Sequence, residues 1–138
     1  MKIKTKQFGE IQFSEDMLVH FPKGIIGFEK CRRFLIVHDE EYEPFRWLIA
    51  VDENEIGFPV LNPFMVENEY DKELPHRLVK RLINAEKPIE IFNVVTLNGE
   101  GGKVTINLKS PVIIDYDEKK GEQLILSAEN IPVAKPIS

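Results

Sequence analysis

Three histidines, one cysteine and many carboxylates are the groups in this 138-residue chain that could carry chemistry. His20, His38 and His76 are scattered without the spacing of metal ligands. His38 beside Asp39 could form half of an acid–base pair, although a strand-end histidine near carboxylates is usually only solvated. Cys31 sits between Lys30 and Arg32, two cations that would lower its pKa and raise its reactivity if it were exposed. No Cys–His signature accompanies it, and a single cysteine allows neither an intrachain disulfide nor an all-cysteine metal cage. The glycine-rich stretch from Gly99 to Gly102 has no Lys-Ser/Thr behind it, so it reads as a hairpin turn and not as a phosphate loop. Carboxylates abound without a recognisable catalytic frame. The chain is therefore expected to be no enzyme, and to hold no cofactor and no metal.

What remains is a set of loops rich in aromatics, proline and glycine. Phe21-Pro22-Lys23-Gly24-Ile25-Ile26-Gly27-Phe28-Glu29 sets two glycines among large apolar residues, the composition of a defined, packed loop. Pro44-Phe45-Arg46-Trp47-Leu48 follows the acidic run from Asp39 to Glu43. Leu61-Asn62-Pro63-Phe64 ends a strand in a turn, and Asn107-Leu108-Lys109-Ser110-Pro111-Val112-Ile113 joins two strands. Aromatic anchors rimmed by acids would make a protein-binding surface. Equally, Phe45, Trp47 and Phe58 could be barrel core.

The elements that must position these loops are mostly strands. Ile3 and Thr5, then Ile11 and Phe13, flank a turn at Phe8-Gly9-Glu10 and predict an opening hairpin. Phe34–Val37, Phe45–Val51 and Ile89–Leu97 are apolar on both faces, whereas Val104, Ile106 and Leu108 alternate with polar residues. Ile56, Phe58 and Val60 alternate too, and Pro59 assigns that strand to an edge or a bulge. Val112-Ile113-Ile114 and Leu124-Ile125-Leu126 flank a turn at Asp117 to Gly121. One segment, about residues 72–83, is helical: Leu74, Leu78 and Leu82 share a face, Asp71 is the cap and Pro75 falls in the first turn. Roughly eight to ten short strands with one short helix predict a mainly β fold, an antiparallel β-barrel-like single domain over residues 1–138. Residues 128–138, with Pro132 and Pro136, form an extended C-terminal tail across the surface.

Charge is unevenly spread. The chain carries 23 acidic and 18 basic residues, a net of −5. Residues 1–33 hold seven basic and four acidic groups, and residues 72–138 hold ten and nine. Residues 34–71 hold ten acids against Arg46 alone. That middle third repels phosphate and would steer a basic partner, or it is simply the solvated side of loops. No apolar run reaches the roughly 18 residues of a membrane span, and no apolar stretch follows the lysines of the N-terminus. A cytoplasmic protein without membrane contact is expected.

The ordered set of loop motifs, with Tyr70 and Gln123-Leu124-Ile125-Leu126, resembles the FliW family of bacterial flagellar assembly factors from residue 3 to residue 137. Two positions differ: Ile49-Ala50 stands where the family often has Gln-Ser, and residues 129–137 replace an aromatic and basic ending. The residues carrying the resemblance include Gly24, Gly27, Phe28, Asn62, Pro63, Asn107 and Pro111. The resemblance implies a non-enzymatic regulator with two competing partners. One is the C-terminal region of flagellin awaiting export; the other is the CsrA dimer, which represses flagellin translation. On this expectation Asp52, Glu53, Glu55, Glu67 and Glu69 form an acidic face toward CsrA. Phe58, Phe64 and Ile113 would line an apolar groove for flagellin's terminal helix. A small β-barrel binding single-stranded nucleic acid is the alternative, opposed by the acidic middle third; direct nucleic-acid binding is not expected.

Overall fold

The computed structural model describes residues 1–53, 56–84, 86, 88–97 and 102–137. Its strands are β1 (Lys2–Thr5), β2 (Gly9–Gln12), β3 (Val19–His20), β4 (Arg33–Val37), β5 (Arg46–Ala50) and β6 (Gly57–Leu61). After the helix α1 (His76–Leu82) come β7 (Ile89–Thr96), β8 (Thr105–Ile106), β9 (Val112–Asp115), β10 (Lys120–Gln123) and β11 (Lys135–Pro136). The strands β7, β6, β5, β4, β3, β10 and β9 pair in that order, and β9 pairs back onto β7, which closes a seven-stranded barrel. Closure removes the sheet edges that would otherwise invite aggregation. Six of the seven seams are antiparallel; the β3–β10 seam is parallel and rests on Lys120 opposite His20.

Alternation along the strands sorts side chains into three cores. Phe34, Leu48, Ala50, Val60, Phe92, Val112 and Ile114 point inward, with Phe21 and Ile25 from the loop after β3. Leu35, Trp47 and Ile49 point outward on one side, where the β1–β2 hairpin covers them with Ile3, Phe8, Ile11 and Phe13. On the other side Leu61, Ile91, Val95 and Ile113 point outward beneath α1, Tyr70, Ile106 and Ile131. The apolar runs that looked two-sided in the sequence are two-sided: one face fills the barrel and the other is roofed. Trp47 is thus a roofed outer residue, while Phe45 packs partly buried against the α1 side.

Several elements differ from the sequence reading. β6 is no edge strand, since β5 and β7 flank it; however, β7 reaches only Val60 and Leu61, so Pro59 needs no partner on that side. The helix begins at His76, not near residue 72. Pro75 disfavours helical geometry in the residue before it, and Leu74 is extended with ψ 150. Pro75 therefore becomes the N-cap, and Asp71 lies in a preceding 3-10 turn over Tyr70–Glu73. The second strand of the last hairpin lies earlier than its apolar run, because Gly121 is inside β10 and the turn ends at Lys119. The tail is docked: Lys135–Pro136 pairs with β8, and Ile131 is buried. The turn expected at residues 98–102 lies outside the described residues except for Gly102, which has φ +74.

Candidate functional site

The four described acidic candidates, Asp52, Glu53, Glu67 and Glu69, do not form one patch. β4, β5 and β6 make an up-down-up meander, so the connection 38–45 and the chain after Leu61 share one end of the barrel. Glu67 and Glu69 follow β6 on the outer α1 side, where they line a cleft with Leu108 and Ile131 and Glu67 reaches Lys135 of β11, whereas Asp52 and Glu53 lie in the β5–β6 connection. Glu55 lies outside the described residues.

Most of these carboxylates already have partners. Asp52 accepts hydrogen bonds from the backbone N–H groups of Arg32 and Arg33, both at 3.0 Å, and pairs with the Arg33 guanidinium at 2.9 Å. Burial raises its pKa, but those donors outweigh burial and hold the carboxyl below its ordinary value. Glu67 pairs with Lys135 at 3.5 Å and Glu69 with Lys72 at 3.1 Å. In the 38–45 connection Glu43 bonds Arg46 and His38, and Asp39 accepts from the Glu41 N–H at 2.9 Å. Three of these cations, Arg33, Lys72 and Lys135, come from outside the acidic third, which is why a count along the chain exaggerates the charge of the surface. Glu53 is exposed and forms no ion pair.

The three apolar candidates fall in three places. Ile113 is buried on the outer face of β9 and lines a cleft of about 540 Å³ beside α1. Phe58 points into the barrel, stacks edge-on with Phe28 at 4.7 Å, and lines a separate recess of about 170 Å³ with Val94 and Ile26. That recess is the barrel mouth, opened where β6 and β7 stop pairing beyond Val60. Phe64 stacks edge-on with Tyr70 at 6.0 Å in the roof of the α1 side.

The motif loops are built by identifiable local chemistry. Gly24, at φ +68, could not carry a Cβ, which would lie 2.7 Å from Glu29 Cα. Gly27, at φ +89, turns the chain so that the Phe28 N–H donates to the Ile25 carbonyl at 2.7 Å, and the Ile26 N–H donates to Gln123 at 2.8 Å. Ile26 and Phe28 are left exposed at this tip. Asn62 caps a 3-10 turn by accepting from the Phe64 N–H at 2.9 Å, with buried Pro63 in its first position. Asn107 accepts from the Lys109 N–H at 2.9 Å, and Pro111 is fully buried beside β9. These residues shape loops.

A buried polar link escaped the sequence reading. The Tyr70 hydroxyl donates to the Leu108 carbonyl at 2.5 Å and accepts from Asn93 Nδ2 at 3.1 Å, while Nδ2 also donates to the Asn107 carbonyl at 2.7 Å. Burial pushes Tyr70 up to about 12, so the hydroxyl keeps its proton and its donor role. The sequence signal was a polar Asn93 between the apolar residues Phe92 and Val94 of β7.

Among the described residues, the groups that the sequence offered for chemistry are engaged in other ways. His38 contacts Glu43 and not Asp39. Cys31 is buried in the barrel core, and burial, with Glu53 and Asp52 nearby, raises its pKa, the opposite of the activation its cationic neighbours would give an exposed thiol. Among the described residues no group of three or more His, Cys, Asp or Glu side chains could hold a metal. Among them, too, no helix is long and apolar enough to cross a membrane.

Comparison with known proteins agrees with the fold. The family model described as FliW protein matches residues 2–137. The flagellar assembly factor FliW of Clostridium botulinum (strain Langeland) is 36% identical over 138 residues, covering 99% of this chain and 96% of that one. The FliW of Lachnospira eligens is 40% identical over 142 residues, covering 99% and 94%. A crystal structure of the flagellar assembly factor FliW superposes with a TM-score of 0.82 at 28% identity, covering 99% of this chain and 96% of that one. Matched over nearly its whole length both in sequence and in fold, the chain belongs to the FliW family.

Proposed function

We propose that this protein is a non-enzymatic flagellar assembly factor of the cytoplasm that couples flagellin synthesis to secretion by switching partners. The observation carrying this reading is the whole-chain match to a family whose curated members are named flagellar assembly factors. In this role it binds the C-terminal region of flagellin before export, as a chaperone would. Once flagellin leaves, the freed protein binds the CsrA dimer and relieves repression of flagellin translation. Exposed tips such as Ile26 and Phe28, held on a barrel with little room to deform, suit protein recognition better than catalysis.

The acidic residues would act on CsrA through their field. A protein that binds RNA must present a basic surface, and carboxylates placed beside it disfavour RNA by repulsion. Glu53 and, at a separate place, Glu67 and Glu69 are candidates for this role, as is Glu55, with Asp52 serving first as an internal anchor. Changing Glu53 and Glu69 to Lys while keeping Asp52 should weaken CsrA antagonism, most at low salt. Unchanged affinity across a salt series would sink the electrostatic part of the reading.

The decisive experiment is a pull-down of CsrA and of flagellin on the purified protein, repeated with each competitor in excess. Mutual displacement is the expected result. Binding of flagellin alone would reduce the role to that of an export chaperone. Retention of total RNA on a filter, without either partner, would favour a nucleic-acid-binding barrel instead.

A further inference from the structure

The cleft of about 540 Å³ beside α1 has a definite construction. Its floor is the outer face of the β9–β10 hairpin, where Ile113 lies opposite Glu122, and Asp115 opposite Lys120. One wall is α1, contributing Leu78, Arg77 and Arg81; the other is the loop Pro22-Lys23-Gly24 after β3. Between Lys120 and Glu122, Gly121 faces the barrel interior with Ile114, where the buried Phe21 ring lies close against the back of the floor strand. The apolar part of the floor is Ile113. The cleft continues along the chain after β10, where Leu124, Ile125 and Leu126 face Leu74 and Pro75 across a second cleft of about 450 Å³ that shares Arg77. Ile125 is 65% exposed there.

Both walls of the first cleft are cationic. Arg81 is neutralised by Asp115 at 2.9 Å. Arg77 on one wall and Lys23 on the other are exposed and form no ion pair, although the protein as a whole carries −5. Lys120, Glu118 and Glu122 on the hairpin are also unpaired, so the floor is of mixed charge while the walls are of one sign. A segment lying between the walls would find apolar surface beneath it and a cation on each flank. An extended run from residue 120 to residue 126 spans roughly 20 Å, the length of about 13 helical residues.

We infer that this cleft is the docking site of an amphipathic helix that presents an apolar stripe flanked by carboxylates. Resting on the partner-switch reading above, the helix belongs to the C-terminal region of flagellin. Ile113, of the three residues expected to line a flagellin groove, is the one that lies here. Its apolar stripe covers Leu78, Ile113 and Ile125, and its carboxylates lie between Lys23 and Arg77.

The test measures binding of purified flagellin, and of a synthetic peptide of its C-terminal helix, to the full-length protein and to two surface variants. The pair Lys23→Glu with Arg77→Glu should raise the flagellin Kd about tenfold at low salt and flatten its salt dependence. Ile125→Asp should weaken binding by a similar factor at every salt concentration. Both should keep the melting temperature and the affinity for CsrA. Unchanged flagellin affinity in both variants, with the wild-type protein binding, overturns the cleft and leaves the partner switch standing. Equal loss of flagellin and CsrA affinity overturns the assignment of the occupant, as does conversion of a dimer to a monomer by Ile125→Asp. A wild-type protein that binds no flagellin overturns both readings, and it does so before any variant is made.

Discussion

Gly121→Ala probes the parallel seam that completes the barrel. An alanine Cβ at this position would lie 2.2, 2.4 and 2.6 Å from Cζ, Cε1 and Cε2 of Phe21. Carbon atoms in contact prefer about 3.5–4.0 Å, so ring or strand must move by more than about 1 Å. Neither has room. Phe21 is fully buried and packs edge-on against Phe34, with centroids 5.1 Å apart. β10 is fixed by the pairing of Gly121 with Ile114 and of Lys120 with His20. Overpacking by one methyl commonly costs about 1–3 kcal/mol, and a clash with an immobile ring belongs near the top of that range. Unfolding entropy of about 2.1 cal/mol/K per residue converts 3 kcal/mol into a fall in Tm of about 10 °C for a chain of 138 residues. Thermal unfolding followed by circular dichroism measures it. Phe21→Leu is the companion variant: alone it loses packing, but combined with Gly121→Ala it frees space, so the double variant should be about 2 kcal/mol more stable than the sum of the singles. A Gly121→Ala protein melting within about 2 °C of wild type, or strictly additive singles, would refute the reasoning.

Two further outcomes follow from buried polar groups. Tyr70→Phe strands the Leu108 carbonyl and one Asn93 N–H on the α1 side, which should cost about 2 kcal/mol in urea unfolding; an unchanged midpoint would show that water replaces the hydroxyl. Asp52→Asn weakens the anchor on Arg32 and Arg33 and should cost about 1–2 kcal/mol at neutral pH. Because the folded pKa of Asp52 lies below its ordinary value, this stabilisation is present above about pH 4 and is lost as pH falls through the folded value. The gap between wild type and variant should therefore close on acidification, and a gap independent of pH would count against the charge as its source.

Asp52 also bears on function. In the sequence it looks like one more member of an acidic run, yet its carboxylate ties β4 to the β5–β6 connection. A loss of CsrA antagonism on reversing it would confound unfolding with electrostatics. Glu53, exposed and unpaired, is the cleaner probe.

What the sequence determined by itself is local. Short apolar runs rich in β-branched and aromatic residues placed the β4 and β5 strands and most of β7, because that composition is a property of the segment alone. Leu74, Leu78 and Leu82 located the helix, and the ordered loop motifs located the family. Boundaries failed where backbone geometry overrode apolar pattern: Pro75 delayed the helix to His76, and Gly121 entered β10 although it has no side chain to signal a strand. Tertiary structure alone decided the rest. Closure of β9 onto β7, the parallel seam, the pairing of Asp52 with Arg33 and of Glu67 with Lys135, and the Tyr70–Asn93 link all join residues 19 to 100 positions apart. Such contacts are set by which surfaces meet when three cores are buried at once, and no local pattern records that choice.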